Sequence, residues 1–274
     1  MNMKTYLYRL FKWLTKGVPV TRVNAGITTI DASQKLAGKK ILVTGGSKGI
    51  GFHLAQKFLS EGAEVVIIGR NGTTLNEAAN RLGCHSICCD ITNISQLDRL
   101  IGKAAELMGG INCLVNNAGI CNIDNGFMNV SEDSYDQQFL TNVKSPFFLT
   151  QSFVKWITAN NAQPAAVLFI TSERGKYPDD APYGMTKAAM ANIIPGLARQ
   201  FAAKDIRFNA IAPGVTADVL GNPDMMEDLY LKGSVGKRFF LPQELAEVAT
   251  FLISDASKCI SGEEIACDQA NYYK

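Results

Sequence analysis

The sequence predicts an α/β fold built on a doubly wound parallel sheet, and three of its features carry that expectation. From residue 39 onward, short runs rich in Val, Ile and Leu alternate with helical stretches that are apolar on one side. The runs are apolar almost without interruption, as strands covered on both faces must be. A glycine-rich turn, Thr44-Gly-Gly-Ser-Lys-Gly-Ile-Gly51, separates the first run from the first helical stretch. Strands alternating with helices in this way pair in parallel through right-handed crossovers.

Taken in order, residues 39–44 (KKILVT) form a first strand and 50–61 a helix that starts at the glycine turn. The run 64–69 (EVVIIG) is a second strand, followed by a helix over 74–82. Residues 85–89 make a third strand and 94–108 a helix. A fourth strand spans 112–115, before a long helical stretch over 132–160. The fifth strand, 165–171, precedes a helix over 182–203. Residues 206–211 and 264–267 are late strands, with a helix over 242–254 between them. The pattern is Rossmann-type, a single domain over 39–274 with a substrate lid near 215–240 and an N-terminal extension over 1–38.

Composition sets the outer bounds. With 47% hydrophobic and 19% charged residues, the 274-residue chain suits one large domain with a well-buried core. A net charge of +2 argues against a nucleic-acid partner, yet it hides an asymmetry. Before Asp31 stand Lys4, Arg9, Lys12, Lys16 and Arg22 and no acid, which leaves 22 basic against 25 acidic residues in the remainder. The seven cysteines lie in apolar surroundings with no C-x-x-C pair and no metal-ligand spacing. They read as buried free thiols in a reducing, cytoplasmic setting, and no metal site is expected.

The leader MNMKTYLYRLFKWLTK places Leu7, Leu10, Phe11 and Leu14 at helical spacing, flanked by Tyr6 and Trp13. Its four cations exclude a spanning helix and the uninterrupted apolar region of a signal peptide. A basic amphipathic helix of this kind suits peripheral contact with an anionic membrane through residues 1–16. Packing on the body or on a neighbouring subunit is the other reading.

Three glycines, Gly45, Gly49 and Gly51, fall between a strand and a helix, where a phosphate-binding turn has to be. Gly45 allows the tight turn, while Gly49 and Gly51 let backbone approach a pyrophosphate and let the helix pack closely on the sheet. Asp90 ends the third strand, where a carboxylate can accept from an adenine amino group. Asn117-Ala-Gly119 ends the fourth, where small residues leave room for a ribose. The second strand ends in Gly69-Arg70-Asn71 without an acid. A carboxylate there would pair with both ribose hydroxyls of NAD, whereas Arg70 and Lys48 offer two cations to a 2′-phosphate. NADP(H) is therefore favoured over NAD(H).

Tyr183-Gly-Met-Thr-Lys187 places a phenol and an ammonium four apart, one turn from each other on a helix face. A fixed cation favours phenolate and makes a tyrosine of reference pKa about 10 usable as a general acid/base. With the glycine turn and Asn116-Asn-Ala-Gly119, these residues closely resemble the short-chain dehydrogenase/reductase family in its compact single-domain form, over about residues 39–268. The resemblance implies Tyr183 as the acid/base, with Lys187 lowering its pKa and binding the nicotinamide ribose. It implies that Ser172 polarises the substrate carbonyl and that Asn142 holds a relay water. It extends the cofactor set over Gly45, Ser47, Lys48, Gly49, Ile50, Gly51, Arg70, Asp90, Ile91, Asn117, Gly119, Tyr183, Lys187, Pro213, Gly214, Val215 and Thr216. From the residues alone, Ser172 also reads as a strand cap with Thr171 as rival, and Asn142 as a helix-interior polar residue bonded to backbone.

Some positions depart from the family pattern. Ser172 precedes Tyr183 by only 11 positions, so the intervening loop should be short. Asp218 stands where a threonine is usual, with Thr216 nearby, and Gln269-Ala270 replace two glycines after Asp268. Met225, Met226, Leu229, Tyr230 and Leu231 suit either an apolar pocket or a core-facing stripe. Arg174 and Lys176 would suit an anionic or polar substrate. The expected protein is an NADP(H)-dependent oxidoreductase interconverting a carbonyl and a secondary alcohol, as a homodimer or homotetramer. The alternatives are an NAD-linked alcohol dehydrogenase and a non-catalytic cofactor-bound sensor or scaffold.

Overall fold

The structure is a computed structural model that describes residues 34–122, 124, 126–217 and 228–272, together with Met3, Leu7 and Phe11. Seven strands form one sheet: β1 (Lys40–Thr44), β2 (Glu64–Gly69), β3 (His85–Cys88), β4 (Cys113–Asn116), β5 (Ala165–Ile170), β6 (Ile206–Pro213) and β7 (Glu264–Cys267). Their order is β3-β2-β1-β4-β5-β6-β7, and every pairing is parallel. The chain winds outward from β1 to β3, then returns to lay β4 on the other side of β1. That reversal opens a crevice at the carboxyl ends of β1 and β4, where ligands of such sheets bind.

Among the described residues, seven α-helices cover the sheet: α1 (Gly49–Ser60), α2 (Gly72–Leu82), α3 (Leu97–Met108), α4 (Glu132–Phe139), α5 (Ser145–Ala159), α6 (Pro182–Phe201) and α7 (Pro242–Ile253). Because successive strand residues point to opposite faces, one strand feeds two cores. Leu42, Val66, Leu114 and Val167 pack against Leu100 of α3, Phe153 of α5 and Ile194 of α6. Val43, Ile67, Val115 and Leu168 pack against Phe58 of α1, Leu75 of α2 and Leu252 of α7.

The long helical stretch expected over 132–160 is interrupted. Between α4 and α5 the backbone widens into a π turn at Leu140–Lys144. Pro146, which lacks an N–H, removes the donor that would bond the Asn142 carbonyl, and Ser145 Oγ donates to Leu140 O at 2.7 Å. Strand β6 runs two residues beyond its expected end because Pro213 still pairs with Cys267. The thiol expectation also needs correction. Cys113 is buried, but Cys88, Cys121 and Cys259 are exposed: Cys88 ends an edge strand, and the other two lie in loops.

Arg207 of β6 is buried, and its guanidinium donates to the carbonyls of Leu252, Ile253, Ser254 and Ser257 at the end of α7. These are acceptors that a helix terminus leaves open. Arg207→Met should destabilise the protein by about 3 kcal/mol, since buried carbonyls lose charged donors. A lower urea midpoint at unchanged slope would register it.

Candidate active site

A cleft of about 800 Å³ runs along the carboxyl ends of the first four strands. Its walls include Gly45, Ser47, Lys48, Gly49, Ile50, Arg70, Asp90, Ile91, Asn117 and Gly119, so the sequence-expected cofactor residues of this half converge. Gly45 has φ +66°, a left-handed turn. A Cβ on Gly51 would collide with the Gly45 carbonyl and the Asn117 amide, so only glycine lets α1 start this close to β1. Asn117 Nδ2 donates to Thr44 O at 2.8 Å, and Thr44 Oγ1 accepts from the N–H groups of Asn117 and Ala118. This ties the two strands at the crevice.

The start of α1 fits an anion. It has no side-chain cap and no acid in its first turn, and nothing within 4 Å would obstruct a Cβ at Gly49. Open N–H groups at a positive helix end are what a pyrophosphate requires. Asp90 is exposed and held through Oδ1, which accepts from Thr92 N and Oγ1. Arg70 and Lys48 are exposed, and neither forms an ion pair with the described residues. The residues present therefore fit a dinucleotide. Two charged lining residues, Glu77 and Arg81, escaped the sequence reading; they share the cleft-facing side of α2 with Thr74 and Ala78.

A second pocket of about 340 Å³ shares Ile50, Asn117, Gly119 and Ile120 with the first. Ser172, Tyr183, Lys187, Pro213, Gly214, Val215 and Thr216 line it. Helix α6 begins at Pro182, whose fixed φ suits a first helical position, so Tyr183 lies in the first turn and Lys187 one turn on. Lys187 is buried; its Nζ donates to Ile170 O at 2.9 Å and lies 5.5 Å from the Tyr183 ring centre. Ser172 hydrogen-bonds Tyr183, and its Oγ accepts from Arg174 N–H at 3.2 Å. Thr171 lines the pocket too, but its hydroxyl donates to Ile211 O at 3.0 Å.

The π turn presents Asn142 to the same wall. Its Oδ1 accepts from Ile120 N–H and its Nδ2 donates to Ile120 O, both at 2.8 Å, and Nδ2 also reaches Thr186 Oγ1 at 3.1 Å. A Cβ on Gly119 would lie 3.2 Å from Asn142 Oδ1 and 3.5 Å from Lys187 Nζ, so both groups stand behind that glycine. Contrary to the expected lowering by Lys187, desolvation by burial pushes the Tyr183 phenol up to about 12, against the pull of Ser172 and Arg174. The same effect pushes Lys187 down to about 8. Each shift favours the neutral form, as desolvation does.

The sequence did not foresee several contacts. Arg174 forms a bidentate pair with Asp179, the Glu173 carboxylate accepts from Asn271 Nδ2 at 2.7 Å, and Lys176 pairs with Glu264 at 2.7 Å. The two non-glycine residues after Asp268 keep left-handed backbone, Gln269 at φ +50° and Ala270 at φ +64°. Asp268 holds that turn by accepting from the N–H groups of Ala270 and Tyr272. In the lid region, Leu229 is buried with Ala217 and Leu241, so it serves the core rather than the pocket. Asp218, Met225 and Met226 lie outside the described residues, as does most of the N-terminal extension.

This geometry fits a nucleotide-dependent oxidoreductase, and comparison with known proteins gives its family. A family model described as enoyl-(acyl carrier protein) reductase matches residues 45–269. The 3-oxoacyl-(acyl-carrier-protein) reductase of Chlamydia trachomatis is 31% identical over 242 residues, covering 85% of this chain and 97% of the relative. Dehydrogenase/reductase SDR family member 4 of Homo sapiens is 27% identical over 255 residues, covering 90% and 91%. The structure of 3-ketoacyl-(acyl-carrier-protein) reductase from Brucella melitensis complexed with NADH superposes with a TM-score of 0.78 at 26% identity, covering 86% of this chain and 99% of that one. The chain belongs to the short-chain dehydrogenase/reductase family and is an NAD(P)-dependent oxidoreductase.

Proposed function

We propose that this protein is an NADP(H)-dependent oxidoreductase that interconverts a carbonyl and a secondary alcohol. The observation that carries the reading is the junction of the two pockets: Tyr183, Ser172 and Lys187 line a space continuous with the dinucleotide cleft. A bound nicotinamide cofactor would supply or accept the hydride there. Ser172 and Tyr183 would hydrogen-bond the substrate oxygen, stabilising the charge that develops on it. Tyr183 would deliver the proton in reduction and take it in oxidation. Lys187 would bind the nicotinamide ribose, and Asn142 beside it would hold the relay water. The four-residue Tyr183–Lys187 interval, together with likeness to a 3-oxoacyl reductase, supports carbonyl rather than enoyl reduction. Arg70 and Lys48, free of ion pairs with described residues, support NADP(H) over NAD(H).

Fluorescence titration with NADPH and NADH, followed by a panel of carbonyl compounds monitored by NADPH oxidation, tests the reading. Tight NADPH binding with turnover is expected; no binding of either nucleotide would overturn it. The pH profile is a further check. Lys187, held at about 8, is charged at neutral pH and loses its proton above that. Reductive kcat/KM should therefore be level near neutrality and fall as pH rises through about 8. A profile flat to pH 10 would contradict a protonated Lys187 in the relay.

Assembly as a homodimer or homotetramer is part of this proposal. An apolar groove of about 550 Å³ lies between α5 and α6, lined by Phe147, Val154, Ile193, Leu197 and Phe201. Light scattering showing a monomer at micromolar concentration would refute it. Peripheral membrane contact through residues 1–16 and a cytoplasmic setting are also part of the proposal, and rest on the basic amphipathic pattern of the leader. Co-sedimentation with anionic liposomes should be lost in a chain starting near Gln34.

A further inference from the structure

We propose that the catalytic pocket takes an uncharged carbonyl compound and turns away carboxylates, and that Asp179 enforces this by occupying Arg174. The inference deepens the carbonyl-reductase reading and rests on it. Of the described residues lining the pocket, Arg174 and Lys187 are the only cations. Arg174 stands two residues past Ser172, with its guanidinium 5.7 Å from the Tyr183 ring centre, where it would meet an acidic substrate. Its charge is already matched. Nε donates to Asp179 Oδ2 at 2.6 Å and Nη2 to Oδ1 at 2.7 Å, the two-pronged geometry that a substrate carboxylate would need.

Asp179 cannot readily step aside. Its side chain is only 4% exposed, and Oδ1 also accepts from Ala181 N–H at 3.1 Å at the mouth of α6. The carboxylate presses on the helix at Gly184, where any Cβ would run into it. Lys187 Nζ is buried behind Gly119 and donates to Ile170 O, and Lys176, just beyond the pocket, pairs with Glu264. Glu173 meanwhile adds a buried carboxylate to the wall. A carboxylate entering here would lose its hydration, find the Arg174 guanidinium already paired and face the like charge of Asp179 and Glu173. A neutral ketone or ester meets none of these penalties. Selectivity then comes from an unfavourable contact with the wrong ligand, as much as from attraction to the right one.

The test uses the full-length protein with NADPH and matched pairs of 3-oxo acids and their ethyl esters of increasing chain length. The ester should exceed its acid in kcat/KM by at least about 100-fold. Asp179→Asn, which keeps the acceptor for Ala181 N–H, frees Arg174 and should shrink that ratio at least about tenfold, mainly through a lower KM for the acid. Adding Arg174→Met should restore the ester preference, a reversal that general loosening of the loop would not produce. Equal or better use of acids by the wild-type protein overturns the inference while upholding the carbonyl-reductase reading, as does an unchanged ratio in Asp179→Asn. If no member of any pair is turned over, the reductase reading fails. The inference is then decided by fluorescence titration of the NADPH complex with acid and ester, where tighter acid binding or no binding of either sinks it.

Discussion

Tyr183→Phe should lower kcat for carbonyl reduction by about 10²–10⁴-fold while leaving dinucleotide affinity within about twofold, because a positioned proton donor contributes on that order. The substitution keeps the ring, and with it the contacts to the Arg174 guanidinium and the Lys187 ammonium. It removes only the hydroxyl that Ser172 engages. Among the described lining residues, none offers an equivalent proton donor. Lys187 has its Nζ on Ile170 O, and burial pushes the Cys121 thiol above its ordinary value. Ser172 retains a donor for the substrate oxygen, but a serine hydroxyl is far too weak an acid to release its proton at neutral pH. Stopped-flow measurement of NADPH oxidation, paired with fluorescence titration, separates chemistry from binding. Loss of both together would mean that the phenol holds the cofactor, and an unchanged rate would remove Tyr183 from the chemistry. Ser172→Ala should cost less, about 10²-fold, since it deletes one oxyanion donor and leaves the proton source intact.

Local pattern explains how much of this was legible in advance. The strands read out well because each is a short apolar run whose two faces both enter a core, so period and composition agree. The glycine turn and the Tyr183–Lys187 interval read out because their chemistry lies within seven residues of chain. The π turn at Leu140–Lys144 did not, since its cause is a single proline acting four residues back on an otherwise helical pattern. Arg174–Asp179 was missed for a different reason. Arg174 was visible as a cation near Ser172, but nothing in a sequence says whether a surface carboxylate five residues on will fold back over it. Glu173–Asn271, across 98 positions, was beyond any local rule. The cleft was legible from its strand ends, whereas Arg81 arrives from the far end of a helix whose angle only packing decides.

Arg70→Asp should weaken NADPH affinity by about 10²–10³-fold and leave NADH affinity unchanged or improved. A 2′-phosphate carries close to two negative charges, and each charge-assisted hydrogen bond to it is worth about 1.5–3 kcal/mol. The substitution removes one such partner and sets a carboxylate beside the phosphate, so two unfavourable contributions add. For NADH the same carboxylate can accept from the ribose hydroxyls, which is why the effect should reverse in sign. Lys48 sits in the glycine turn on the other wall of the cleft, and Lys48→Ala should cost NADPH about tenfold by losing a single flexible cation. Both effects should shrink as ionic strength rises, because the groups are exposed and screened. Affinities measured at two salt concentrations therefore distinguish phosphate recognition from a general loosening of the cleft, which salt would not moderate. If Arg70→Asp leaves NADPH binding intact, the phosphate is not read at the end of β2. Arg81, its guanidinium 4.9 Å from the Phe52 ring centre at the same cleft, is then the next cation to remove. An effect on NADPH from Arg81→Ala alone would move the recognition site from the strand to the helix without changing the hydride chemistry beyond it.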